Sequence, residues 1–137
     1  MAKFNKLSIF TPAYNMLQVV IEEVGKMNRK YRFTVGSNLY KYSDSVVKML
    51  PKINHMNNKL EGIQKLLLAC DSVECDVMIC RDMKIISKDK INTISSYLTE
   101  VVEQATKWKK YYMSKITEEN KNKDNKDCTE INASDTK

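Results

Sequence analysis

Hydrophobic positions recur along this chain at alternating steps of three and four residues. Ile91, Ile94, Leu98, Val101, Ala105, Trp108 and Tyr112 form one such stripe, and Val35, Leu39, Tyr42, Val46, Met49, Ile53 and Met56 form another. Ile63, Leu66, Cys70, Val73, Val77 and Cys80 form a third, with Leu60 and Leu67 widening its face. A shorter set, Tyr14, Leu17, Ile21 and Val24, is flanked by Met16 and Val20. Sustained 3–4 spacing keeps apolar side chains on one face of an α-helix, so four amphipathic helices are predicted.

Local chemistry sets the boundaries. Thr11 followed by Pro12 reads as an N-cap with proline at the first helical position, giving a first helix over about 12 to 28. Thr34 is the expected cap of a second helix, about 34 to 56. Asn57 or Asn58 caps a third, about 58 to 85, and Ser87 with Asp89 opens a fourth, about 88 to 116. Pro51 removes a backbone hydrogen bond within the second helix and predicts a kink. Gly25 marks close packing or early fraying near the end of the first. Short connections make consecutive helices antiparallel neighbours, so the pattern predicts an all-α, up-down-up-down antiparallel four-helix bundle over residues 11–116. Residues 1–10 form an N-terminal extension. Residues 117–137 carry no apolar stripe and are expected to be a disordered polar tail.

Composition agrees with this reading. Three glycines and two prolines in 137 residues leave few breakers, and a hydrophobic content of 42% suits one globular domain. No apolar run reaches the roughly 18–20 residues of a membrane span, and the opening residues lack a signal peptide's apolar segment, so a cytoplasmic protein without a membrane partner is expected. Cys70, Cys75 and Cys80 are spaced five apart on one predicted helix. Successive members turn by about 140° and do not converge on a metal, which leaves them as core or boundary thiols. The one histidine, His55, has no partner spaced as in a zinc, di-iron or triad site. No glycine-rich phosphate loop occurs. No cofactor, no metal site and no catalytic residues are therefore assigned, and an enzymatic role has little to support it.

Charge changes the picture more. The formal net charge is +6. Residues 117–137 hold four basic side chains against six acidic ones, so the positive surplus lies in the bundle. Lys26, Arg29, Lys30 and Arg32 crowd into seven residues at the junction between the first two helices. Lys26, Arg29 and Lys30 either complement the dipole at the end of the first helix or bind an anion. Arg32, placed beside the positive start of the next helix, calls for a buried acidic partner or an anion held with that helix's free N–H groups. Lys107, Lys109, Lys110 and Lys115 interleave with Trp108, Tyr111 and Tyr112 on the fourth helix, a composition suited to nucleic acid. Because Trp108 and Tyr112 belong to the core stripe, the lysines are the expected contact set, with weak selectivity for sequence.

The stretch "YRFTVGSNL" resembles the Arg-Phe-Thr-x-Gly-x-x-Leu signature at the helix 1–helix 2 junction of a family of small prokaryotic four-helix bundle proteins. That family includes the accessory variability determinant of diversity-generating retroelements and the proteins encoded by intervening sequences in 23S ribosomal RNA genes. Arg32, Phe33, Thr34, Gly36 and Leu39 carry the match, and Trp108-Lys109-Lys110 resembles the late tryptophan and basic residues of the family's last helix. Where the family often has Phe-Pro-Lys before the signature, this chain has Met27-Asn28-Arg29-Lys30-Tyr31. The resemblance spans roughly residues 10 to 113. It implies a ring-shaped homopentamer with a basic surface. For the retroelement member it implies binding to a reverse transcriptase and to RNA or DNA in support of mutagenic reverse transcription. Lys26, Arg29, Lys30, Arg32, Lys107, Lys109 and Lys110 are the candidate partner or nucleic-acid contacts, with Gly36 shaping the junction. The alternative is a structural oligomer of the ribosomal-insert type with no enzyme partner. Ring assembly would also explain apolar residues beyond the needs of one bundle: Leu67, Ile79, Val102 and Tyr111.

Overall fold

Four helical rods, without a strand among the described residues, make up the computed structural model, which describes residues 7–135 and the side chains of residues 7–125. The first is α1 (Phe10–Lys26). The second is continuous from Arg29 to His55 and comprises a single turn, α2 (Arg29–Tyr31), a π turn (Arg32–Gly36), and α3 (Ser37–His55). The others are α4 (Lys59–Asp82) and α5 (Lys88–Asp135). Both α1 and α4 pack against α3 and α5, which is the arrangement of an antiparallel four-helix bundle. Among the described residues no helix is long and apolar enough to cross a membrane.

The stripes on α4 and α5 are the core. Ile63, Leu66, Cys70, Val73, Val77 and Cys80 are buried, as are Ile91, Ile94, Leu98, Val101 and Ala105. On α3 the buried line runs Leu39, Ser43, Val46, Leu50 and Ile53, so Tyr42 and Met49 flank the seam where the spacing had placed them at its centre. The expectation for α1 needs a larger correction. Ala13, Met16, Val20 and Met27 face the core, whereas Tyr14 and Ile21 are 45% and 49% exposed. Apolar residues span a wide arc of α1 opposite the polar line Thr11, Asn15, Gln18 and Glu22, so periodicity alone did not choose which part of that arc is buried. The chosen face leaves the Tyr14 hydroxyl end at the surface, its ring stacked on Phe10 at 5.5 Å.

Several ends differ from the sequence expectation. The N-cap of α1 is Ile9, with no side-chain cap, and Thr11 lies inside the helix. Ser8 instead clasps α5: its hydroxyl donates to Gln104 Oε1 at 2.6 Å, and Gln104 Nε2 donates to the Ser8 carbonyl at 3.3 Å. Asn58 caps α4 by accepting from the Glu61 N–H, and Ser87 Oγ accepts from the Lys90 N–H at the start of α5. Past Pro51, α3 continues to His55, which is exposed in the last turn. A Cβ on Gly25 would meet nothing within 4 Å, so this glycine does not serve close packing.

Beyond Tyr112 the chain stays helical to Asp135, although residues 113–125 are exposed and have no apolar seam. This differs from the disordered tail expected for residues 117–137, of which residues 136–137 lie outside the described residues. Once a helix is nucleated by packing, each further residue needs only propagation.

Burial pushes the Cys70 thiol up to about 12 and the Cys80 thiol up to about 11, so both stay protonated at neutral pH, while Cys75 is exposed. Among the described residues no three His, Cys, Asp or Glu side chains gather as a metal site. Among the described residues two buried side-chain polar atoms have no hydrogen-bond partner, Ser43 Oγ and Asp76 Oδ2. Burial raises the Asp76 pKa above the ordinary carboxylate value. A folded pKa above the unfolded one means that the protonated form favours folding. Stability is therefore greatest below the unfolded pKa and falls as pH rises through the raised value. Asp76→Asn should stabilise the protein by about 1 kcal/mol at pH 7. Thermal unfolding followed as a function of pH should show that gain shrinking toward pH 4; a gain independent of pH would contradict this account.

Candidate nucleic-acid interface

The junction between α1 and the second rod is built by three devices. Met27, the C-cap of α1, is extended (φ −67°, ψ 149°) and buried, which breaks the helix and turns the chain into the core. Asn28 restarts it by accepting from the Lys30 N–H at 3.4 Å. The rod then widens into the π turn, where Thr34 Oγ1 donates to the Lys30 carbonyl at 2.8 Å and the Tyr31 carbonyl at 3.3 Å. Thr34 is thus not a helix cap. The helix begins six residues earlier than its motif suggested, and the Thr34 hydroxyl donates back to carbonyls of the preceding turn.

Arg32 also has a role other than the two expected for it. Its Nη2 donates to the Met27 carbonyl at 3.1 Å and to the Gly25 carbonyl at 3.5 Å. It therefore caps the negative end of α1, which accounts for its charge without a carboxylate or a bound anion. The α3–α4 connection repeats the device with Lys59, whose Nζ donates to the carbonyls of Ile53, Asn54 and Met56. Gly36 is buried, and a Cβ there would lie 2.7 Å from Met27 Sδ and 2.9 Å from the Tyr31 carbonyl oxygen. The close approach that Gly36 permits is internal: the α1 C-terminus and the π turn's own backbone occupy the space.

With Arg32 so engaged, Arg29, Lys30 and Lys26 are the outward cations of the junction. Lys26 reaches Glu23 at 3.5 Å but stays 68% exposed. Arg29 lies over the Phe33 ring at 5.7 Å, and Lys30 over the Tyr31 ring at 4.9 Å; neither cation makes an ion pair among the described residues. Phe33 is 68% exposed, so an aromatic surface stands among the cations where the sequence had suggested few exposed rings.

Lys107, Lys109 and Lys110 lie elsewhere. Lys107 and Trp108 line a groove of about 600 Å³ with Leu7 and Ile9, which precede α1, whereas the junction follows α1. The 17 residues of α1 separate the two regions by roughly 25 Å at 1.5 Å rise per residue. That groove also contains Glu100 and Glu103, which oppose phosphate binding beside Lys107. Trp108 is half-buried against the core, in its structural role, and Tyr111 is 56% exposed with Lys115 at 5.6 Å. The two predicted sets are therefore two regions, and the junction is the less compensated.

Antiparallel topology adds residues that sequence reasoning missed. The α4–α5 connection reaches the same end of the bundle as the α1 C-terminus, and the π turn packs against α4. Residues 26–32 and 81–90 together hold eight basic side chains against two acidic ones, Asp82 and Asp89. Arg81 is bound to Asp82 at 2.9 Å. Lys84, Lys88 and Lys90 make no ion pair among the described residues. The available signal was the run "MKIISKDK", whose significance depends on knowing which bundle end it occupies. Comparison with protein-family models, curated proteins and solved structures finds no match to this chain.

Proposed function

We propose that this protein is a non-catalytic accessory subunit that binds a reverse transcriptase and RNA or DNA, as in a diversity-generating retroelement. The observation that carries the proposal is the concentration of exposed cations around the Arg-Phe-Thr-x-Gly junction at one end of a helical scaffold. A polyanion neutralised by Arg29, Lys30 and Lys26 releases counterions, so binding should be strongest at low salt. Arg29→Glu with Lys30→Glu should weaken retention of RNA at least about tenfold at low salt and flatten the salt dependence by about two contacts. The double variant retaining wild-type affinity across a salt series would place the surface elsewhere. Co-purification with a reverse transcriptase tests the partner; a stand-alone oligomer of the ribosomal-insert type would bring none down.

Homo-oligomerisation belongs to the same proposal and is supported by apolar surface that one bundle leaves uncovered. Leu68 and Ile79 on α4 and Met83 at its C-cap are 66%, 43% and 55% exposed and recur at helical spacing away from the core. The ring of five remains what the resemblance implies. Mass measurement in solution should give a multiple of 15.9 kDa, and a monomer at high concentration would contradict assembly.

A further inference from the structure

Resting on that nucleic-acid reading, we infer that this end of the bundle is a platform for single-stranded nucleic acid. Phe33 and Arg29 stack on an unpaired base, and Lys84 of the α4–α5 connection with Lys88 and Lys90 at the start of α5 supply a second bank of phosphate contacts beside Arg29 and Lys30.

Phe33 is the most exposed large apolar side chain among the described residues, yet it is held on an ordered turn. Arg32 and Thr34 on either side of it are tied to backbone carbonyls, and Gly36 locks the same turn against Met27. Its ring has a guanidinium beside it and otherwise faces solvent. A fixed aromatic face next to an arginine suits a base lifted out of its stack, which a single strand offers and a duplex does not.

The second bank comes from the other connection. Helices in such bundles lie about 8–10 Å apart, so both connections share one face that a strand can cross. Lys84 adds an independent sign of use. Among the described residues it is the one non-glycine residue with positive φ, at 56°. Met83, Lys84 and Ile85 close α4 with the Ile85 N–H bonded to the Cys80 carbonyl at 2.9 Å and the Lys84 N–H to the Arg81 carbonyl at 3.1 Å. This is the Schellman ending, in which glycine is the usual occupant of the left-handed position. A lysine there carries backbone strain that glycine would relieve, and what it adds is a charge.

Anisotropy of a labelled, unstructured pyrimidine strand and of a blunt duplex, as RNA and as DNA, tests this. Wild type should prefer the strand. Phe33→Ala should weaken strand binding by roughly 5- to 100-fold with little change on the duplex, and Phe33→Tyr should retain it. Lys84→Gly should weaken binding and reduce the salt slope by about one contact while the unfolding temperature rises or holds, so lost binding is not mistaken for lost folding. Lys88→Ala with Lys90→Ala should weaken it further. Equal binding of strand and duplex with Phe33→Ala silent, or no effect of the lysine variants, would overturn the platform and leave the nucleic-acid reading standing. Wild type binding neither probe at low salt would overturn both and favour an acidic protein partner for the same end.

Discussion

Gly36→Ala is expected to destabilise the protein by about 1–3 kcal/mol, seen as a lower urea midpoint at unchanged slope. The backbone at Gly36 is ordinary helix, so conformational freedom is not the reason glycine stands there. Space is: the new methyl would meet Met27 Sδ at 2.7 Å, the Tyr31 carbonyl oxygen at 2.9 Å and Val24 Cγ1 at 3.4 Å. The sulfur ends a flexible chain and can move, but the carbonyl belongs to the π turn and cannot move without changing it. Gly36→Ala should therefore cost less in a Met27→Ala background than in the wild type, yet still cost something, because Met27→Ala removes only the side-chain obstacle. No cost in that background would assign the whole effect to Met27 and none to the turn.

The same region shows where sequence was informative and where it was not. The stripes on α4 and α5 were legible because their 3–4 spacing runs unbroken from Ile63 to Cys80 and from Ile91 to Ala105, and each of those positions is buried. On α1 two lines compete, and packing against α3 and α5 selected Met16 and Val20 over Tyr14 and Ile21. Local motifs failed where long-range bonds decide. Thr34 has the chemistry of an N-cap, but Asn28 had already started the rod. Arg32 was recognised as a charge needing an explanation; its partners proved to be main-chain carbonyls, which no residue pattern announces. The candidate site was legible for Arg29 and Lys30 from their density alone. Lys84, Lys88 and Lys90 were legible only through the antiparallel order that the short connections predict, because their run carries no local motif. Lys107, Lys109 and Lys110 were joined to the junction by composition and are separated from it by the length of a helix.

Leu39→Ala is expected to cost about 2–5 kcal/mol, the larger of the two effects, because Leu39 is fully buried and its loss leaves a cavity one turn after the junction. Its effect on ligand should be small. Leu39 faces the core, while Phe33 and Arg29 face solvent on the preceding turn, so nucleic-acid affinity measured well below the unfolding temperature should stay within about threefold of wild type. Phe33→Ala should do the reverse: at 68% exposure it should change stability by no more than about 0.5 kcal/mol while weakening strand binding. Together the two variants divide Arg-Phe-Thr-x-Gly-x-x-Leu by function. Arg32, Thr34, Gly36 and Leu39 hold the turn and the core, and Phe33 faces outward from the frame they make. Equal loss of binding in both variants, with Leu39→Ala still folded, would mean that the turn transmits core packing to the surface and that the motif does not separate in this way.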